Sequence, residues 1–532
     1  MKANTSVCIG IRWISALLFC FFAAVYLLYP TPLSGQHYDS LSYAWFTETA
    51  GMRAMQGNHP LGHFIGNSTY AAARSLGYGG RALTVFQAIN AVAGALTIAV
   101  FHLLLSCRLR VRRWCAFGAA VLFGSGFSFW QQAGTGDIYI IAGLFLIAAW
   151  WYLTAPAEGG RPSLAAGIAA GLAIASHQLG AAVLPAGALV LMLRGSDIGP
   201  RLRHASVFLV SAVVSAGCCY GLLGLLATGS PSPRAIIAWM GGYLAAGNSG
   251  YGQHFHVASI PVALDTLSAT LLISPGPGRA LLFRNGLFLA LLAVVAWGTG
   301  LSWKRRPELR PVISAFALHC LLSWCAILWW EPYNPKFYLF SLMPWWAAVA
   351  VAFDAVHGRL SVARAGALRI AAPAFFISAL CLASVLNIHY GKLREHRTAA
   401  RFDEAIAPWL AHSAPGDVLI TAGDLVQQLA FWAGRPGTVH LCRTLRQNTD
   451  PADPLSSLKD IIRNAQTENR EVLLDPAACV WVSDAQLADL NLTRRKLCDF
   501  FNGLPMIRSF EYSNLITGHR DTVFKLEPGA VR

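Results

Sequence analysis

The 532-residue sequence is 55% hydrophobic and 13% charged, against about 25% charged for an ordinary soluble domain, which excludes a soluble globular enzyme. A net charge of +15 would ordinarily suggest a nucleic-acid partner. The excess lies elsewhere: residues 391–532 hold 17 Lys and Arg against 17 Asp and Glu, whereas residues 1–390 hold 24 against 9. That surplus falls in loops between apolar runs, where it reports membrane topology, so no nucleic acid is expected.

Apolar runs long enough for a ~30 Å hydrocarbon core predict about eleven transmembrane helices, near 11–29, 83–106, 114–130, 138–153, 163–178, 180–193, 205–227, 281–303, 311–330, 337–356 and 368–390. The first is read as retained rather than as a cleaved leader, because no A-x-A site follows it and Pro30 and Pro32 suit a membrane exit. Loops 107–113, 194–204, 304–310 and 357–369 carry 4, 3, 4 and 3 basic residues. The alternating loops 30–82, 131–137, 228–280 and 331–336 carry 3, 0, 2 and 1, and are longer in total. The basic loops therefore predict a cytoplasmic N-terminus, and eleven crossings place the C-terminus outside.

Two domains follow: a membrane domain over 1–390 and an extracytoplasmic accessory domain over 391–532. The tail reads as a small α/β fold, with helices at 399–412 and 424–433 and strands at 417–421, 438–441, 471–474 and 522–526. It shows no Gly-rich phosphate loop and no paired catalytic constellation. Cysteine adds little: nine of the twelve lie in the membrane part, and Cys442, Cys479 and Cys498 form no C-x-x-C pair.

A carboxylate at the edge of hydrocarbon is costly and marks a candidate site. The outer loops of the membrane domain hold five acidic residues: Asp39, Glu48, Asp137, Asp265 and Glu331. Asp39 lies just beyond the first span and Asp137 at the start of the fourth. Each suits general-base work or a divalent metal ion; the plain alternatives are a loop carboxylate for Asp39 and a helix N-cap for Asp137. His59 and His63 have i,i+4 spacing, which suits a metal on a helix, but Pro60 lies between them, and interfacial or substrate contact is the better reading. In Glu331-Pro332-Tyr333-Asn334-Pro335-Lys336-Phe337-Tyr338, Lys336 is the lone basic residue. It suits a lipid phosphate or a snorkelling anchor.

These features occur in an order that resembles the GT-C superfamily of membrane glycosyltransferases, and within it the protein O-mannosyltransferase-like domain family. Tyr38-Asp39 precedes Asn58-His59-Pro60-Leu61-Gly62-His63-Phe64, which is similar to the family's His-Pro-Pro-Gly-Tyr turn, and Asn90 follows in an Ala-rich helix. Asp137-Ile138-Tyr139 stands where the family has Glu-x-Tyr. Gly171-Leu172-Ala173-Ile174-Ala175-Ser176-His177 resembles its Gly-Leu-x-x-x-x-His hairpin. The match covers about residues 15–195, with Leu61, His63 and Asp137 departing from the family pattern. The resemblance implies an inverting transfer from a polyprenyl-phosphate sugar donor to a protein, glycan or lipid acceptor outside a bacterial inner membrane. Asp39 would be the base, Asp137 its support or a metal ligand, and Lys336 the phosphate contact. Glu48, His59, His63, Tyr139, Asn334 and Tyr338 would contact substrate. His177 reads as a weaker site candidate or as a satisfied core histidine. A transporter or flippase is the alternative; it would show inverted repeats and helices broken near the midplane.

Overall fold

The computed structural model describes residues 5–30, 38–156, 160–194, 197–245, 257, 259–271, 279–363, 406–421, 437–441, 444, 453–475, 492–513 and 520–528. In chain order its helices are α1 (Thr5–Leu28), α2 (Tyr38–Thr49), α3 (Pro60–Ser75), α4 (Ala82–Leu103), α5 (Arg113–Ser125), α6 (Phe127–Gly134), α7 (Tyr139–Leu153) and α8 (Arg161–Ser176). There follow α9 (Val183–Met192), α10 (Ile198–Thr228), α11 (Pro233–Ala245), α12 (Ser259–Leu271), α13 (Arg279–Arg305), α14 (Arg310–Trp330), α15 (Leu339–Ala363), α16 (Ser456–Thr467) and α17 (Arg494–Asn502).

The chain forms two compact units. One comprises Met1–Thr31, Ala50–Met240 and Gln253–Leu393; the other comprises Pro32–Thr49, Gly241–Gly252 and Arg394–Arg532. The boundary read at residue 390 lies beside the Leu393–Arg394 division. Helix α2, however, groups with the tail rather than with the spans. Its sequence, YDSLSYAWFTET, alternates polar and aromatic side chains and lacks the unbroken apolar run of a crossing.

Among the described residues, six helices are long and apolar enough to cross a membrane: Ile9–Leu28, Ala82–Arg108, Ile198–Thr228, Arg284–Arg305, Pro307–Trp330 and Pro335–Arg359. Helices α6 and α7 meet at 117° and make a seventh only if the bent pair is one broken span. Two of the expected runs are interrupted locally. The run 114–130 is cut at Gly126, whose ψ of 134° leaves the helical region. Helix α8 stops at His177, extended at φ −164° and ψ 130°, and a short 3-10 turn precedes α9. The segment 368–390 and the tail helix at 424–433 lie outside the described residues.

Within the first unit, side-chain contacts gather the basic loops at one end. Arg112 and Arg306 both lie on Asp354, at 3.5 and 3.7 Å. Arg306 also donates to the carbonyl of Leu109 at 2.8 Å. Arg108 sits over the Trp151 ring at 4.2 Å, and Arg194 donates to the Ala155 carbonyl at 3.2 Å. Loops 107–113 and 304–310 thus share an end with Ala155, Arg194 and Asp354. The segments around His59, Tyr139, His177 and Phe337 meet elsewhere, through their rings.

Helices α8 and α10 approach closely over Gly167 and Gly171, a small-residue seam of the kind that lets membrane helices touch backbone to backbone. A Cβ on Gly171 would lie 2.5 Å from the Ala212 carbonyl oxygen and 2.7 Å from Ser215 Cβ. In the second unit a five-stranded sheet has the order β2-β1-β3-β5-β4, with β1 (Val418–Thr421), β2 (Thr438–His440), β3 (Val472–Leu474), β4 (Met506–Ser513) and β5 (Arg520–Leu526). The first three strands run parallel, and β5 joins β3 and β4 antiparallel. Helices α16 and α17 bury Leu458, Ile462, Leu497 and Phe501 with the strands' apolar residues.

Because nothing at the α8–α10 seam can yield without moving backbone, Gly171→Ala should destabilise the first unit by roughly 1–3 kcal/mol. Thermal unfolding in detergent measures it; an unchanged midpoint would refute the close approach.

Candidate functional site

Four segments distant in sequence meet at the ring-lined end of the first unit. The first is the turn into α3. Pro60 occupies the first helical position, where its missing N–H costs nothing, and His59 is the N-cap residue. The Pro between the two histidines therefore starts a helix, and His59 and His63 are both buried at its N-terminal turn.

The second segment is the break between α6 and α7. A helix interrupted in an apolar surround exposes backbone groups that need partners. Asn90 of α4 supplies them: its Nδ2 donates to the carbonyls of Thr135, at 2.8 Å, and Asp137. Gln87, one turn earlier on the same face, donates to the Gly134 carbonyl at 3.3 Å. The Thr135 hydroxyl accepts the Asp137 N–H at 3.3 Å. Helix α7 then begins at Tyr139 with Ile138 as N-cap and no capping side chain. Asp137 is therefore not the helix cap its sequence position allows. It is 1% exposed, a buried carboxylate rather than an outward-facing one, because the hinge folds back under α3: a Cβ on Gly62 would lie 2.8 Å from Ile138 Cβ.

His177 is the third element. Its ring stacks on His59, with centroids 4.5 Å apart and planes 17° from parallel. It also meets Tyr139 at 4.7 Å, Phe340 at 4.6 Å and Phe337 at 5.9 Å. The fourth is loop 331–338. Asn334 donates to Glu331 Oε2 at 2.7 Å and accepts the Lys336 N–H at 3.3 Å, capping the 3-10 turn Pro335–Tyr338. The Tyr338 hydroxyl lies 2.9 and 3.1 Å from the Pro332 and Ala263 carbonyls, to which it donates. Ser128 of α6 donates to the Pro335 carbonyl at 2.9 Å. Asn334 and Tyr338 thus hold the loop, and the loop presents Lys336, whose ammonium sits 5.0 Å from the Tyr139 ring centroid and 5.6 Å from that of Phe337.

The structure therefore brings His59, Tyr139 and Lys336 together and adds His177, with His63 one turn further along α3. Asp39 and Glu48 lie in the first and last turns of α2 and belong to the second unit. Arg284 is ion-paired with Asp265 and hydrogen-bonded to Asn285. Among the described residues no group of three or more His, Cys, Asp or Glu is placed to share a metal ion. The parallel His59 and His177 rings meet face to face rather than with converging nitrogens. Sequence reading quoted Asn90 only within a motif and gave it no task; the signal was two amides, Gln87 and Asn90, on one face of an otherwise apolar helix.

No protein-family model and no curated protein matches this sequence. Solved structures do. ArnT from Cupriavidus metallidurans, in the apo state, is similar over 100% of both chains at 13% identity, with a TM-score of 0.52. The Archaeoglobus fulgidus oligosaccharyltransferase, in complex with Zn and sulfate, is similar over 96% of this chain and 72% of its own at 15% identity, with a TM-score of 0.49. The S. cerevisiae protein O-mannosyltransferase Pmt1–Pmt2 complex, bound to the sugar donor, aligns over 44% of this chain at 20% identity, with a TM-score of 0.35. This chain spans 35% of the yeast chain's length. At 13% identity the likeness shows the fold alone: this chain shares the fold of ArnT.

Asn90→Ala would strip two buried carbonyls of their donor. Each such loss costs about 1–3 kcal/mol, so the variant should unfold at clearly lower temperature in detergent, whereas Asn90→Asp, which keeps the shape but not the amide donor, should do little better. Wild-type stability in both would mean the hinge is held by something else.

Proposed function

We propose that the chain is a membrane glycosyltransferase that moves a sugar from a polyprenyl-phosphate donor to an acceptor hydroxyl on the extracytoplasmic face, with inversion. The observation that supports it is the Lys336 ammonium, held against Tyr139 and Phe337 at the ring-lined end of a GT-C fold. A polyprenyl-phosphate sugar is a phosphodiester with one negative charge. As the acceptor oxygen attacks the anomeric carbon, the bond from that carbon to the phosphate oxygen breaks and the lipid phosphate gains a second negative charge. A fixed cation is therefore worth more in the transition state than in the ground state, which is the condition for catalysis. The acceptor's proton goes to a carboxylate. Asp39 is proposed for that role from its sequence position, and Asp137 as a buried positioning carboxylate beside Tyr139.

Lys336→Gln removes a charge-assisted contact worth roughly 1.5–3 kcal/mol, so donor affinity should fall about 10- to 150-fold. Lys336→Arg should restore only part, since a planar guanidinium presents a different donor geometry. Donor titration at fixed acceptor, with purified protein in lipid, is the measurement; a change within twofold would move the phosphate to another cation.

Asp39→Asn should cut turnover by at least the ~10²-fold typical of losing a general base, at normal membrane expression. Near-normal turnover would turn attention to Glu48. The accompanying topology has the N-terminus and the basic loops in the cytoplasm. A reporter placed within 304–310 should then be active inside and one fused after Lys392 outside; the same location for both would sink the orientation.

A further inference from the structure

His177 carries a hydrogen-bond donor for which the described residues provide no acceptor. Its Nδ1 accepts the backbone N–H of Leu179 at 3.1 Å, as the cap of the 3-10 turn Gln178–Ala182. An accepting nitrogen holds no proton, so by this geometry the neutral ring carries its proton on Nε2. The ring is 5% exposed and is packed against His59, Tyr139 and Phe340, and its orientation is set by the Leu179 N–H. A donor that no described residue uses is left for a ligand atom.

The chemistry of that atom follows from the neighbourhood. His177 and Lys336 rest on the same two rings, Tyr139 and Phe337. One cation and one neutral N–H donor, set among aromatic side chains, suit a singly charged phosphodiester. The lysine cancels its charge, and the imidazole satisfies an oxygen lone pair without adding a second positive charge that the apolar surroundings would penalise. We propose that His177 Nε2–H donates to a non-bridging phosphate oxygen of the carrier lipid, beside the Lys336 ammonium. The proposal rests on the glycosyltransferase reading above.

The test measures binding of a sugar-free polyprenyl monophosphate to the purified full chain in nanodiscs. His177→Asn keeps an oxygen to accept the Leu179 N–H but is too short to reach the phosphate. It should bind the lipid at least about tenfold more weakly while unfolding close to wild type. His177→Gln, whose amide nitrogen reaches about as far as Nε2, should recover part of the affinity. Binding by His177→Asn within twofold of wild type overturns the proposal. A second measurement needs no variant: diethyl pyrocarbonate should acylate His177 in delipidated wild-type protein, read by mass spectrometry, and polyprenyl monophosphate should protect it. No acylation without lipid, or undiminished acylation with it, also overturns the proposal. Failure of the wild type to bind the lipid at all overturns the carrier-lipid reading instead.

Discussion

The amide of Asn90 is the interaction on which the site depends. Breaking a helix inside an apolar bundle leaves carbonyls and N–H groups that hydrocarbon cannot satisfy, so the α6–α7 break exists only because α4 reaches across to it. With Thr135 and Asp137 held from α4, α7 starts at Tyr139, and Tyr139 is the ring on which His59, His177 and Lys336 all rest. The dependence therefore runs from one side chain of an apolar helix, through the backbone it satisfies, to the placement of Lys336.

Lys336 is placed by a second set of polar contacts. Asn334, Glu331, Tyr338 and Ser128 spend their hydrogen bonds on the backbone and side chains of loop 331–338. A lysine over aromatic rings gains about 0.5–2 kcal/mol, less than the roughly 1.5–3 kcal/mol of a charge-assisted hydrogen bond. The ring contact is one of the interactions that hold the ammonium near the site.

Much of this was legible in sequence, and the reason for each success and failure is physical. Loop charge is read from sequence because positive charge is excluded from one side of a membrane regardless of local structure, and two of the basic loops, through Arg112 and Arg306, meet at Asp354 of α15. Hydropathy reads an apolar run as continuous because it cannot see a backbone leave the helix at Gly126 or at His177. Asp137 was read as a surface carboxylate since its burial depends on α3 packing over the hinge, a contact between segments about 75 residues apart in sequence. The His59–His177 stack joins segments still farther apart. In the tail, β1, β3 and β5 carried dense apolar runs and were expected, whereas β4, with Arg508 and Glu511 among its residues, carried too mixed a pattern to stand out. Helix α2 joining the second unit had no signal in composition.

A shared fold at 13% identity fixes a helix layout and not a reaction, so the chemistry has to be argued from side chains whose positions are over-determined. By that criterion Asn334 and Tyr338 matter most through what they hold. Neither needs to touch a substrate: if the leaving phosphate gains charge as the sugar departs, a lysine already in place pays no reorganisation cost at that moment, and electrostatic preorganisation of this kind commonly supplies the largest share of an enzyme's rate enhancement. A loop free to move would bind the same phosphate after the charge had formed, with the stabilisation arriving too late to lower the barrier. Under the proposed function, rigid hydrogen bonding around Pro335, at the junction of α6, α12 and α14, would let Lys336 assist bond cleavage rather than only bind the lipid phosphate.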